Sequence, residues 1–160
     1  MVKAGREIIT VNVGGCGINL GTSSLEQYCV EQGISCDGMK VKDTNSNQYE
    51  DKLNIFYREC ADGTLKARSL FFDMDPYSIN MARNIYRYNK IINKNYMVSG
   101  QKSSNNNWAD AHYVGGKEII DNITDKLRLA VDECDCIQGF IFNHSISKRI
   151  IKHCYYCYIS

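Results

Sequence analysis

The sequence predicts an α/β protein: a mostly parallel sheet with helices on both faces. Three observations carry the prediction. Short apolar runs rich in β-branched and aromatic residues, each of strand length, recur near 7–13, 69–74 and 137–143. Helical patterns lie between them. The clearest covers 117–134, where Ile119, Ile123, Leu127, Ala130 or Val131, and Cys134 recur every three or four positions. A glycine-rich turn, 11–21, joins the first strand to a helix-like stretch over 23–32. Strand and helix alternating in this way favour parallel pairing with helical crossovers.

The totals narrow the field. The chain has 160 residues, enough for one domain with a real core. It is 44% hydrophobic and 23% charged, with a net charge of +1. So balanced a charge gives no reason to expect nucleic acid or an anionic membrane surface as partner. No secretory h-region opens the sequence, and no run is apolar and long enough to span a bilayer.

Taken in order, Ile8-Ile9-Thr10-Val11 feeds the turn Val13-Gly14-Gly15-Cys16-Gly17. Strand, glycine turn and helix aim backbone N–H groups at an anion, and glycine lets it approach without a Cβ in the way. Gly33 is a natural stop for the first helix. Residues 35–51 are polar and aperiodic and read as a surface loop, with a weak edge strand expected at 53–57. Ala61-Asp62-Gly63-Thr64 reads as a turn.

The next strand ends in Asp73-Met74-Asp75-Pro76. Pro76 suits the first position of a helix, whose apolar face would carry Ile79, Ala82, Ile85 and Tyr86. Asp75 is placed to cap that helix, which leaves the second acid, Asp73, without a structural role. Residues 89–107 read as a polar loop with a short apolar break at Tyr96-Met97-Val98, and a helix is expected to start near Trp108. His112, just inside it, reads as a packed or capping group. Residues 137–142 read as a buried strand running into Asn143-His144-Ser145. In parallel sheets ligands bind beyond the carboxyl ends of the strands. Here those ends carry Gly14 to Gly17, Asp73 with Asp75, and His144 with Ser145.

Two other chemistries fit the sequence less well. Eight cysteines are many for this length, and Cys134, Cys136, His153, Cys154 and Cys157 contain one two-residue gap. No second such pair accompanies it, so the cysteines read as reduced thiols, not as a zinc site. A dinucleotide-binding oxidoreductase would use Gly15-Cys16-Gly17, but Leu20 stands at the third glycine position. No acid ends a second strand at the expected distance.

The motifs converge on one resemblance. Arg6-Glu7 with Val13-Gly14-Gly15-Cys16-Gly17-Ile18-Asn19-Leu20-Gly21, Arg68 with Phe72-Asp73-Met74-Asp75-Pro76, and Gly100-Gln101 with Asn106-Asn107-Trp108-Ala109 and His112-Tyr113 stand in that order. They are followed by Gly116-Lys117-Glu118-Ile119-Ile120-Asp121 and by Cys134 with Gln138-Gly139-Phe140 and His144-Ser145. From about Arg6 to Ser145 the chain resembles the amino-terminal part of the tubulin nucleotide-binding domain, a Rossmann-like fold. Residues 26–34 and 116–121 look more like the alpha subunit, whereas Gln101 and Trp108 lean the other way.

The resemblance implies a GTP-binding structural subunit of microtubules in the cytoplasm and cytoskeleton, with other tubulin subunits as partners in a heterodimer and lattice. It implies GTP and Mg2+ as cofactors and a family GTPase activity. By the family pattern the phosphates lie on Gly14, Gly15, Cys16 and Gly17. Asp73 and Asp75 face phosphate and magnesium, with Asp75 the metal ligand and Asp73 a second candidate. The loop from Ser103 to Asn106 lies by the γ-phosphate, and Ser145 opens the main phosphate loop. No catalytic residue is carried over.

Two departures shape the expectation. Family members usually carry glutamine where Gly15 stands, and a glycine-rich loop follows the residue matching Ser145. Here residues 146–160 contain no glycine. The division expected is a partial nucleotide-binding domain over 1–145 and a divergent tail over 146–160. The function expected is that of a truncated tubulin-like subunit with weakened nucleotide binding and no hydrolysis of its own. The alternatives are a non-functional fragment or a fragment of a dinucleotide oxidoreductase.

Overall fold

The computed structural model describes residues 6–40, 53–103 and 107–145. Four parallel strands form one sheet: β1 (Glu7–Val13), β4 (Ser69–Asp73), β5 (Met97–Ser99) and β6 (Ile137–Asn143), in the order β5-β4-β1-β6. A two-stranded antiparallel hairpin, β2 (Tyr57–Glu59) and β3 (Leu65–Ala67), stands apart from it. The hairpin turns where expected: Asp62 accepts from the Thr64 N–H at 3.0 Å, and Gly63 takes φ +77.

Helix α1 (Gly14–Glu31) follows β1 directly. The glycine stretch is therefore the first half of the helix and not a loop before it. Its buried residues are Gly14, Gly17, Ile18, Gly21, Thr22, Leu25 and Cys29, a stripe of helical spacing whose glycines let the helix lie close to the sheet. Gly33, at φ +59, ends it as predicted. Asp75 caps α2 (Pro76–Asn80) by accepting from the Tyr77 N–H at 3.0 Å, and Pro76 opens the helix. A π turn (Met81–Ile85) extends it. The wider turn rotates Ile85 out of the expected apolar face, leaving it 70% exposed. A short α3 (Trp108–Asp110) and a second π turn (Ala111–Gly115) lead into the long α4 (Gly116–Asp132).

Side-chain alternation along the strands divides the core in two. Phe71 and Met97 face one layer with Ile18, Leu25 and Cys29 of α1, Ile79 of α2, and Tyr57, Leu65 and Ala67 of the hairpin. Ile9, Val11, Leu70, Phe72 and Val98 face the other with Ile119, Ile123 and Ala130 of α4. Helices therefore cover both faces, as the alternation of elements predicted.

Three local expectations change. Residues 53–56 are helical, and the strand begins only at Tyr57. Leu53 and Tyr57, both buried, sit four residues apart and use a helical period where a strand was expected. Met97 to Ser99, expected as a break within a loop, is a full member of the sheet. β6 is not fully buried. Among the described residues it pairs with β1 alone, and Phe140, Ile141 and Phe142 are 40%, 37% and 41% exposed.

A buried ion pair fastens the opposite, amino-terminal end of the sheet. Arg68 meets Glu7 at 2.8 Å, and the other Glu7 carboxylate oxygen accepts from the Cys136 N–H at 2.9 Å. One carboxylate thus joins the starts of β1, β4 and β6.

Candidate functional site

Because the four strands are parallel, their carboxyl ends share one edge of the sheet. β1 is the point where the chain changes direction. α1 and the hairpin lead from β1 to β4 on one side, and α4 brings the chain back to β6 on the other. The crevice beyond the strand ends at such a point is where open α/β sheets bind ligands.

Gly14 to Gly17 form the first turn of α1 at this edge. Val13 provides no side-chain cap, and no acid lies in the first turn. Helical geometry leaves the N–H groups of a first turn without intrahelical partners, and the dipole of an 18-residue helix adds partial positive charge there. Gly14, at φ +72, makes the sharp change from strand to helix that a side chain would resist. Gly17 serves packing as well: a Cβ there would lie 2.2 Å from the Asn143 carbonyl oxygen. Cys16 is exposed.

Asp73 ends β4 and is only 1% exposed. One carboxylate oxygen accepts from the Asp75 N–H at 3.1 Å. The Ser78 hydroxyl also hydrogen-bonds to the carboxylate. Burial pushes the Asp73 carboxyl above the usual carboxylate range, against the opposing pull of these donors. A Cβ at Gly15 would stand 3.3 Å from Ser78 Oγ and 3.9 Å from Asp73 Oδ2. The first turn of α1 and the buried acid therefore face each other with no side chain of residue 15 between them.

The other predicted site residues are less closely gathered. Asp75 is half-buried, and its oxygen is engaged as the cap of α2. Ser103 is exposed, and Asn106 lies outside the described residues. Ser145 is half-buried past the end of β6, its carbonyl oxygen 3.0 Å from His144 Nδ1. Among the described residues, no cluster of three or more His, Cys, Asp or Glu side chains is arranged to hold a metal ion. His153, Cys154 and Cys157 of the zinc alternative lie outside them.

Sequence reading missed two groups at this edge. One is Ser78. The other is Asn12, fully buried in the central strand, with Asn143 beside it. A polar residue inside the apolar run Ile9 to Val13 was the available signal for Asn12.

This combination of strand-end acids with a glycine-started helix has relatives. The model of the Tubulin/FtsZ family GTPase domain matches residues 7–149. The chain belongs to the Tubulin/FtsZ family. It is 34% identical over 140 residues to the tubulin alpha-2 chain of Schizosaccharomyces pombe, covering 88% of this chain and 31% of that relative. It is 35% identical over 140 residues to the tubulin alpha-B chain of Neurospora crassa, with the same coverage. To the tubulin alpha-1B chain of Physarum polycephalum it is 33% identical over 141 residues, again covering 88% of this chain and 31% of the relative. The alpha-like character read at residues 26–34 and 116–121 agrees with these relatives. The chain spans about a third of their length. No described helix is long and apolar enough to cross a membrane.

Proposed function

We propose that this chain is a tubulin-like, GTP-binding subunit of the cytoskeleton that keeps the phosphate and magnesium site in outline and binds nucleotide weakly. The observation that carries the reading is the pairing across Gly15: an uncapped helix N-terminus on one side, a buried carboxylate on the other. The first suits phosphate oxygens. The second suits a cation, since Asp73 bears the desolvation cost of its charge and a divalent ion would offset it.

The residues present thus fit a magnesium-bound nucleotide. Gly14, Gly15, Cys16 and Gly17 would take phosphate oxygens through their backbone. Asp73 and Asp75 would hold the metal, and Ser103, Asn106 and Ser145 would border the phosphates. Bound magnesium would neutralise phosphate charge there.

Weakness follows from residues 146–160, which contain no glycine. The family's phosphate loop supplies several backbone donors to charged oxygens, each contributing about 1.5–3 kcal/mol. Losing three costs on the order of 5–9 kcal/mol, or roughly four to six powers of ten in affinity. Lysine and arginine at 148 and 149 carry side-chain charge, which is not a chemical replacement for fixed backbone N–H groups. Binding on the millimolar scale and no hydrolysis are expected. The partners are other tubulin subunits, in the cytoplasm. Alone, the chain should not form filaments with GTP and magnesium. Pelleting followed by electron microscopy tests this, and ordered filaments would refute it.

A further inference from the structure

A second side chain, that of Ser78, reaches the Asp73 carboxylate. It lies in α2, beyond the cap residue Asp75 and the opening Pro76, and is half-buried. Its hydroxyl meets the Asp73 carboxylate and points into the space where a side chain at position 15 would begin, 3.3 Å from that Cβ position. Oδ2 of Asp73 lies 3.9 Å from the same point. One small volume is thus shared by three things: the backbone of residue 15, the Ser78 hydroxyl and Oδ2 of the Asp73 carboxylate. A Cβ contact of 3.3 Å is tighter than ordinary van der Waals packing, so a side chain at 15 would require the hydroxyl to give by a few tenths of an ångström.

Three donors reach the carboxylate: the backbone N–H groups of Asp75 and Met74, and the Ser78 hydroxyl. The Asp75 N–H holds one oxygen from the turn after β4. The Ser78 hydroxyl holds it from α2. Removing the Ser78 hydroxyl leaves the carboxylate held by backbone N–H groups alone, with nothing fixing it from α2.

We propose that Ser78 is a positioning residue of the phosphate–magnesium site. It orients Asp73 toward the α1 N-terminus, and glycine at position 15 provides the room it needs. This rests on the nucleotide reading above. Ser78 touches neither phosphate nor metal; it acts through Asp73.

Two measurements on the full chain test it, with the variants Ser78→Ala, Ser78→Thr, Gly15→Ala and the double variant Gly15→Ala/Ser78→Ala. The first is thermal unfolding without nucleotide. Ser78→Ala and Gly15→Ala should each lower the midpoint. The double variant should be no worse than Ser78→Ala, because the crowded hydroxyl is gone. Additive losses overturn the shared volume, and the proposal with it, while leaving nucleotide binding open.

The second is a nuclear magnetic resonance titration with Mg·GTP and, separately, with GTP in chelator. Ser78→Ala should weaken Mg·GTP by about tenfold, the effect of one charge-assisted hydrogen bond. It should leave GTP in chelator unchanged, and Ser78→Thr should restore the magnesium-dependent affinity. Equal losses in both arms, or none in either, overturn the positioning role. A wild-type chain that does not bind Mg·GTP, with the unfolding cycle still non-additive, refutes the nucleotide reading and so the role built on it.

Discussion

Asn143 donates from Nδ2 to Oδ1 of Asn12 at 2.8 Å, and Asn12 donates in turn to the Leu70 carbonyl at 3.1 Å. Two carboxamides thus run across β6, β1 and β4 just behind the candidate site. Asn12 is fully buried, so its amide must be satisfied within the protein. Asn12→Ala leaves both Leu70 O and Asn143 Nδ2 without this partner. The expected cost is about 1–3 kcal/mol. The double variant with Asn143→Ala should cost clearly less than the sum of the singles, because both remove one shared bond. Urea unfolding of the four proteins measures it, and strict additivity would contradict the link.

Glycines that look equivalent in the sequence should differ in consequence. A Cβ at Gly17 would sit 2.2 Å from the Asn143 carbonyl oxygen, and backbone cannot easily give way. Gly139 has nothing within 4 Å of its Cβ position. Gly17→Ala should destabilise by about 1–3 kcal/mol or more through overpacking. Gly139→Ala should be neutral or stabilising by about 0.5–1 kcal/mol, since alanine suits a strand interior better. Thermal melts of both variants decide it; equal effects would contradict the close approach of α1 to β6.

At the other end of the sheet, Arg68 and Glu7 form a pair whose side chains are 10% and 6% exposed. Arg68→Met removes one partner and leaves a buried carboxylate. The expected cost is about 3–5 kcal/mol. Replacing both with apolar residues should recover much of it. Chemical denaturation checks this, and a double variant worse than Arg68→Met would contradict it.

Burial raises the Asp73 carboxyl above its ordinary value, so the folded state holds that proton more tightly than the unfolded chain does. The stability linked to it is full below the unfolded value and is lost as pH rises through the folded one. Asp73→Asn carries no charge to desolvate. It should therefore be more stable than the wild type near neutrality, with the gap closing as pH falls through the carboxylate range. Added Mg2+ should narrow the gap at neutral pH by stabilising only the wild type. Unfolding measured across pH, with and without Mg2+, checks both, and a gap independent of pH would contradict the burial cost.

Much of this fold was legible because three strands carry short runs of β-branched and aromatic residues and α4 keeps a clean helical period. β5 was not, because three residues cannot show a period, and Met97 to Ser99 become a strand only by pairing with Phe71 to Asp73. The hairpin strand Tyr57–Glu59 buries only its tyrosine and so carries no apolar pattern. At the site, Gly14 to Gly17 and Asp73 were readable from their positions at strand ends. Ser78 was not, since its meaning depends on where α1 brings Gly15, a residue far away in sequence. Nor was the exposure of Phe140 and Phe142: an apolar run predicts a strand but not how many neighbours cover it.

The most direct test of the central claim is a titration of the isotope-labelled chain with GTP, with and without magnesium, followed at the backbone amides. The account predicts saturable, magnesium-dependent shifts centred on Gly14, Gly15, Cys16 and Gly17 and on Asp73 and Asp75, with a dissociation constant on the millimolar scale. Shifts that are absent, or that leave these residues unmoved, would contradict the site; a submicromolar constant would contradict its weakness.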